Sequence, residues 1–220
     1  MVFDAHIHNK NHEKGGFLIG LEGNPFFDGT LTNSEVLELH NPKNNYFSFY
    51  YVTSSEIYTL IKHNLLKYHP RREKYSHELV SNSIKKNHPK AVIIDTLNEP
   101  YWTVYDYWNI ARENADIPII MAHAGGYLVN DFIKMCHFQP NVWIDFALTH
   151  TTLGRLGNKN EGLAYINDAI KYALHSPFKN KVLLSSDFPF FNQDEVFKYY
   201  NDYINLLNCN YLSFVRENLQ

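Results

Sequence analysis

The sequence predicts a parallel α/β fold: a (β/α)8 TIM barrel, either small or trimmed by one unit. Three observations carry that expectation. Short β-rich runs alternate along the chain with longer segments of helical spacing. The runs are almost continuously apolar, as strands covered by helices on both faces are. Several of them end in an ionisable residue, at the strand end where parallel folds bind ligands. A length of 220 residues suits one core and a single domain spanning 1–220. It also lies near the small end of the barrel range, roughly 200 to over 400 residues. A doubly wound open sheet is the alternative architecture.

In chain order, the strand runs are "VFDAHI" (2–7), "GFLIGLE" (16–22), "YFSFYYV" (46–52), "AVIID" (91–95), "IPIIMAH" (117–123), "NVWIDFA" (141–147) and "KVLLSSD" (181–187). The helix candidates begin with "TNSEVLEL", capped by Thr32 or Asn33. Next comes "SSEIYTLIKHNLLKY" (54–68), where a Ser-Ser start and Glu56 precede apolar positions at helical spacing. Further helical patterns cover 75–87, 102–114, 127–138, 160–175 and 193–207. No repeat or low-complexity linker divides the chain.

Hydrophobic residues make up 45% and charged residues 20%, the balance of a globular domain. A formal net charge of −3 gives no electrostatic case for nucleic acid or for an anionic membrane. No apolar run approaches the roughly 18 residues needed to span a bilayer. The N-terminus lacks the pattern of a secretory signal, so the expectation is a cytoplasmic protein. Cys136 and Cys209 form neither a metal-like nor a disulfide-like framework.

The strand ends hold the chemistry. In "FDAHIH", Phe3, Ala5 and Ile7 alternate with Asp4, His6 and His8, so the two histidines project to one side of a strand and can chelate one ion. The competing reading is a polar strand face. "IPIIMAHAGG" ends in His123 and two glycines, which let backbone approach a ligand closely. "KVLLSSDFPF" ends in Asp187, and "AVIIDTLNEP" ends near Asp95 and Glu99. Imidazoles plus a carboxylate are a catalytic zinc's ligands, and the same set suits manganese, iron or cobalt.

The combination "DAHIH", "IIMAHAGG", "NVWIDFA" and "LLSSDFPF" resembles the amidohydrolase superfamily of metal-dependent barrels. Within it, the chain is most similar to the amidohydrolase-2 branch, related to aminocarboxymuconate-semialdehyde decarboxylase and to small-molecule lactonases. The resemblance implies that His6 and His8 are strand-1 metal ligands. It implies that Asp187 binds the metal and takes a proton from the attacking water. His123 corresponds to a strand-6 histidine, a metal ligand or a catalytic acid/base. Asp4 is expected to orient a neighbouring side chain.

Two features depart from that pattern. The family's strand-5 histidine has no evident counterpart, which leaves Asp95, Glu99 or His150 to replace it. No lysine is evident at the end of a middle strand, Lys90 preceding its strand, so a single divalent ion is expected, zinc foremost. Arg71 and Arg72, in a loop after a helix, could grip a carboxylate or phosphate bidentately, but the leading reading is a solvated basic loop. Arg155 is a candidate for touching an anionic substrate, and His12 lies in the first loop of the active face. The remaining histidines, His69 among them, read as surface or packing residues.

The function expected is hydrolysis of a small amide, lactone or ester by a metal-activated water. Non-oxidative decarboxylation on the same ligands is the alternative, and a non-catalytic barrel serving as a binding module is the third reading. The expected partner is a small-molecule substrate, with neither nucleic acid nor membrane, and the branch is compatible with a homodimer.

Overall fold

The structure is a computed structural model that describes residues 2–10, 15–21, 29–97, 102–147 and 159–220. Eight parallel strands follow one another around a barrel: β1 Phe3–Ile7, β2 Gly15–Ile19, β3 Tyr46–Tyr51, β4 Leu65–Tyr68, β5 Ala91–Asp95, β6 Ile119–Ala122, β7 Val142–Asp145 and β8 Val182–Leu183. Each strand pairs with the next. The ring closes where Ala5 N donates to Leu184 O at 2.7 Å and Asp187 N to His6 O at 3.0 Å. The barrel is small, but it lacks no strand.

The helices are α1 Asn33–Leu39, α2 Pro70–Glu73, α3 His77–Asn87, α4 Val104–Glu113, α5 Val129–Phe138, α6 Lys159–His175, α7 Gln193–Tyr199 and α8 Ile204–Asn218. Reciprocal capping boxes start α1 (Thr32 with Glu35) and α4 (Thr103 with Asp106). Each such cap contributes about 1 kcal/mol. The expected helix over 193–207 is instead two helices, broken by a short turn at Asn201–Tyr203.

The larger correction concerns 54–68, which is not a helix. Its first part is a turn held by Glu56, whose carboxylate accepts from Thr53 N at 3.2 Å and from Tyr50 OH at 2.6 Å. Its last four residues are β4, buried between β3 and β5. A short apolar run carries no periodicity that separates strand from helix. The barrel decides, because without β4 the facing edges of β3 and β5 would keep unpaired backbone groups.

Inside the barrel, Phe17, Phe49, Leu65, Ile93, Ile120 and Leu183 pack together. Helix α8 seals the N-terminal end: Tyr211 stacks on Phe3 at 4.6 Å, and Phe214 meets Trp143 edge-on at 4.9 Å. The second apolar layer lies between strands and helices, around Leu66, Tyr68, Ile94 and Ile144. With one end plugged by aromatics, polar side chains collect at the other. Among the described residues, no helix is long and apolar enough to cross a membrane.

Candidate active site

Strand β1 does not keep the strict alternation its sequence suggests. Asp4 pairs with Gly16 and Ile7 with Leu18, so β1 carries one residue more than β2 over this stretch, a β-bulge. The bulge separates Asp4 from the two histidines. Ile7 packs outward with Leu18, Leu31 and Val36. The Asp4 carboxylate turns to β8 and α7, accepting from Ser186 N at 2.9 Å and Gln193 Nε2 at 2.6 Å, and also from His6 N at 3.1 Å. Burial pushes its pKa up to about 6, against the pull of those donors. Asp4 thus ties β1 to β8 and steadies the backbone on which both His6 and Asp187 sit.

His6 and His8 converge on Asp187. His6 Nε2 lies 3.1 Å from His8 Nε2, and each lies 3.4 Å from Asp187 Oδ1. All three residues are buried. His8 Nδ1 is 2.9 Å from Ile19 O, which only accepts, so that nitrogen carries the proton and Nε2 presents its lone pair. His6 Nδ1 faces Asp145 Oδ2 at 3.3 Å, which leaves His6 Nε2 free in the same way. Burial, and next Lys67, lower the pKa of His6 to about 4, so the ring is neutral. Three acceptor atoms therefore face one another with no donor between them, an arrangement that a cation relieves. A tetrahedral shell with bonds of about 2.0–2.1 Å sets its donors roughly 3.3 Å apart, which these separations match. The residues fit a divalent ion.

His123 stands beside this trio rather than within it. Its ring centroid is 4.9 Å from that of His6. Its Nδ1 lies 2.9 Å from Ala147 O and its Nε2 3.1 Å from Asp95 Oδ2. Burial lowers the pKa of His123, but the bond to Asp95 outweighs it and the net shift is upward. A second three-residue grouping, His6, His123 and Asp145, also comes within metal-binding distance. Asp145 is, however, already committed: its Oδ1 accepts from His123 N and Ala147 N, each at 3.0 Å, and its Oδ2 holds His6. That is the work of a carboxylate behind a histidine ligand.

His123 and Asp187 both adopt left-handed backbone, at φ 66° and 63°, as does Ala124 at 42°. Such conformations cost of order 1–3 kcal/mol and persist where function needs the side chain's direction. Gly125 follows at φ 77°, and a Cβ there would lie 2.0 Å from Phe132 Cδ2, so this turn accepts only glycine.

Three residues that sequence reasoning set aside belong here. β4 carries Lys67 into the barrel, 1% exposed and coupled to Asp95, Asp145 and Asp187. A lysine on a middle strand is thus present, and it was hidden because its strand read as helix. His69, expected as a surface or packing residue, is buried with Nε2 3.5 Å from Asp95 Oδ2. Arg71 is not in a solvated loop, since its Nε lies 3.7 Å from Asp95 Oδ1. Arg72 lies over the ring of Tyr51 at 5.6 Å. Asp95 ends β5 where a histidine was sought, and counting β4 makes His123 the residue that follows β6. Glu99, His150, Arg155 and His12 lie outside the described residues.

The sequence profile of the amidohydrolase family matches residues 89–205, more than half of the chain. The chain belongs to the amidohydrolase family. It is an enzyme of that superfamily built on a TIM barrel. No curated protein matches the sequence. Solved structures match it over most of its length. One is a TIM-barrel protein from Bordetella bronchiseptica, with TM-score 0.64, 12% identity, and 93% of this chain and 78% of that one covered. Another is an amidohydrolase from Burkholderia multivorans with bound zinc, with TM-score 0.56, 12% identity, and coverages of 87% and 75%. A third, from Agrobacterium tumefaciens in its apo form, has TM-score 0.56, 8% identity, and coverages of 96% and 88%. At such identities the likeness is one of fold. The amidohydrolase assignment rests on the family profile.

Proposed function

We propose that this amidohydrolase hydrolyses a small amide, lactone or ester, with one divalent ion held by His6 Nε2, His8 Nε2 and Asp187. The observation that carries the reading is the cluster of three buried acceptors at 3.1–3.4 Å with no donor among them. The zinc in the Burkholderia multivorans amidohydrolase supports the choice of zinc. Bound there, the ion supplies a water of lowered pKa and polarises the substrate carbonyl.

The chain's own residues do the rest. Asp187, which burial pushes toward the neutral form but the charge on His123 keeps below the ordinary carboxylate pKa, accepts the proton of the attacking water. The water oxygen bonds to the carbonyl carbon, and the carbon–nitrogen or carbon–oxygen bond then breaks. His123 holds a proton at Nε2 and delivers it to the departing nitrogen or oxygen; Asp187 then releases the proton it took to solvent and His123 takes one from solvent, with Asp95 favouring the imidazolium. Asp145 keeps His6 in the tautomer that leaves Nε2 unprotonated.

The test is metal content by plasma mass spectrometry on the wild type and on His6→Ala/His8→Ala, followed by turnover on a panel of amides, lactones and esters. Near one ion per chain, lost in the double variant, with turnover of a panel member, is the expected result. A loaded protein that releases carbon dioxide from carboxylates and hydrolyses nothing would replace hydrolysis by decarboxylation. A chain that retains no ion after reconstitution would overturn the reading.

A further inference from the structure

The metal ligands and the proposed proton carriers leave one group of side chains unused. Lys67, His69 and Arg71 stand at alternate positions along the C-terminal end of β4, and all three surround Asp95. Three buried polar atoms in this group have no hydrogen-bond partner: His69 Nδ1, Arg71 Nε and Asp95 Oδ1. The contact between Arg71 and Asp95, at 3.7 Å, is beyond hydrogen-bond length. Among the described residues, the guanidinium has no other partner. His69, 9% exposed, is neutral, because burial pushes its pKa down to about 3.

A guanidinium whose Nε–H lies beyond hydrogen-bond length of Asp95 and is bonded to no other described residue, partly exposed at the barrel mouth and beside Lys67, is built to receive an anion.

We propose that Arg71, backed by Lys67 and with His69 beside it, binds a carboxylate of the substrate, so that the amide, lactone or ester hydrolysed is that of an acidic molecule. The substrate role rests on the hydrolase reading above, whereas the binding of a carboxylate does not. The planar fork of one guanidinium matches two carboxylate oxygens. A phosphate would set further oxygens against Asp95 Oδ1, an unpartnered acceptor.

The experiment is calorimetric titration of the zinc-loaded full chain with succinate, with neutral succinamide and with inorganic phosphate, and metal content is measured on the same samples. Succinate is expected to bind, succinamide not, and phosphate more weakly than succinate. Arg71→Gln should weaken succinate binding at least tenfold while it retains its zinc. Arg71→Lys keeps the charge beside Asp95 and loses the fork, so it should fold and still bind succinate severalfold more weakly. Arg72→Gln, whose guanidinium lies over Tyr51, should bind as the wild type does. Wild-type affinity in both Arg71 variants, equal binding of succinamide, or preference for phosphate would each overturn the proposal. Zinc retained without succinate binding would remove this inference alone. Succinate binding that depends on Arg71 in a chain that holds no zinc would remove the hydrolase reading alone.

Discussion

Asp145→Asn isolates the contribution of a carboxylate outside the proposed ligand trio. Asp145 Oδ1 accepts from the backbone N–H groups of His123 and Ala147, each at 3.0 Å, while Oδ2 lies 3.3 Å from His6 Nδ1. An asparagine of the same shape keeps the two backbone bonds only if its oxygen occupies the Oδ1 position. Its NH2 then faces His6 Nδ1, and two donors cannot pair. His6 must move its proton to Nε2, where it points at His8 Nε2 and Asp187 Oδ1 and occupies the place of the ion. Loss of such a carboxylate partner typically weakens metal affinity 10- to 100-fold, or about 1.4–2.7 kcal/mol. The assay is zinc affinity by competition with a chromogenic chelator, with calorimetric melting as a control for folding. Melting should shift little, because volume and the two backbone bonds survive. Alanine would instead strand both N–H groups at about 1–3 kcal/mol each, which makes it a poor probe. Zinc affinity within twofold of the wild type in a well-folded Asp145→Asn would refute the assignment of Asp145 as the orienting group.

Lys67→Met removes an amine that burial pushes toward the neutral form, that Asp95, Asp145 and Asp187 draw back toward charge, and that opposes protonation of His6. Zinc binding should tighten in the same chelator titration; weaker binding would mean that Lys67 itself serves the ion. At the far end of the barrel, burial lowers the pKa of both His40 and His63, whose rings meet edge-on at 5.5 Å. A histidine whose folded pKa is depressed stabilises the fold above its ordinary value of 6.5, and that stability falls away as acid protonates the unfolded chain first. Urea unfolding between pH 7.5 and pH 5, values bracketing that pKa by about one unit or more, should therefore show a loss of stability that is smaller in His63→Gln. An equal loss in the variant would exclude the pair as its source.

Much of this architecture is legible in the chain, because a parallel barrel imposes simple local demands. Strands covered on both faces must be continuously apolar, and ligands collect where the apolar runs stop; "AVIID", "IPIIMAH" and "KVLLSSD" satisfy both conditions without reference to any neighbour. For that reason the sequence points to His6, His8, His123 and Asp187 as candidates. It does not point to β4. "LLKY" is four residues long, joins a helix-like pattern upstream, and becomes a strand only because β3 and β5 leave a gap that its backbone fills. With that strand went Lys67, His69 and Arg71, whose positions around Asp95 depend on register between β4 and β5. The direction of Asp4 was likewise decided by a bulge, a property of the pairing of β1 with β2 and not of β1 alone. Tertiary structure also assigned the proton on each histidine, since Ile19 O, Ala147 O and Asp145 are brought to those rings by other strands. The sequence by itself determined which candidate residues stand at the ends of β1, β6 and β8, because periodicity and strand-end position are local. Only the folded barrel decided which atoms face one another, because hydrogen-bond direction and charge balance belong to groups that meet from distant parts of the chain.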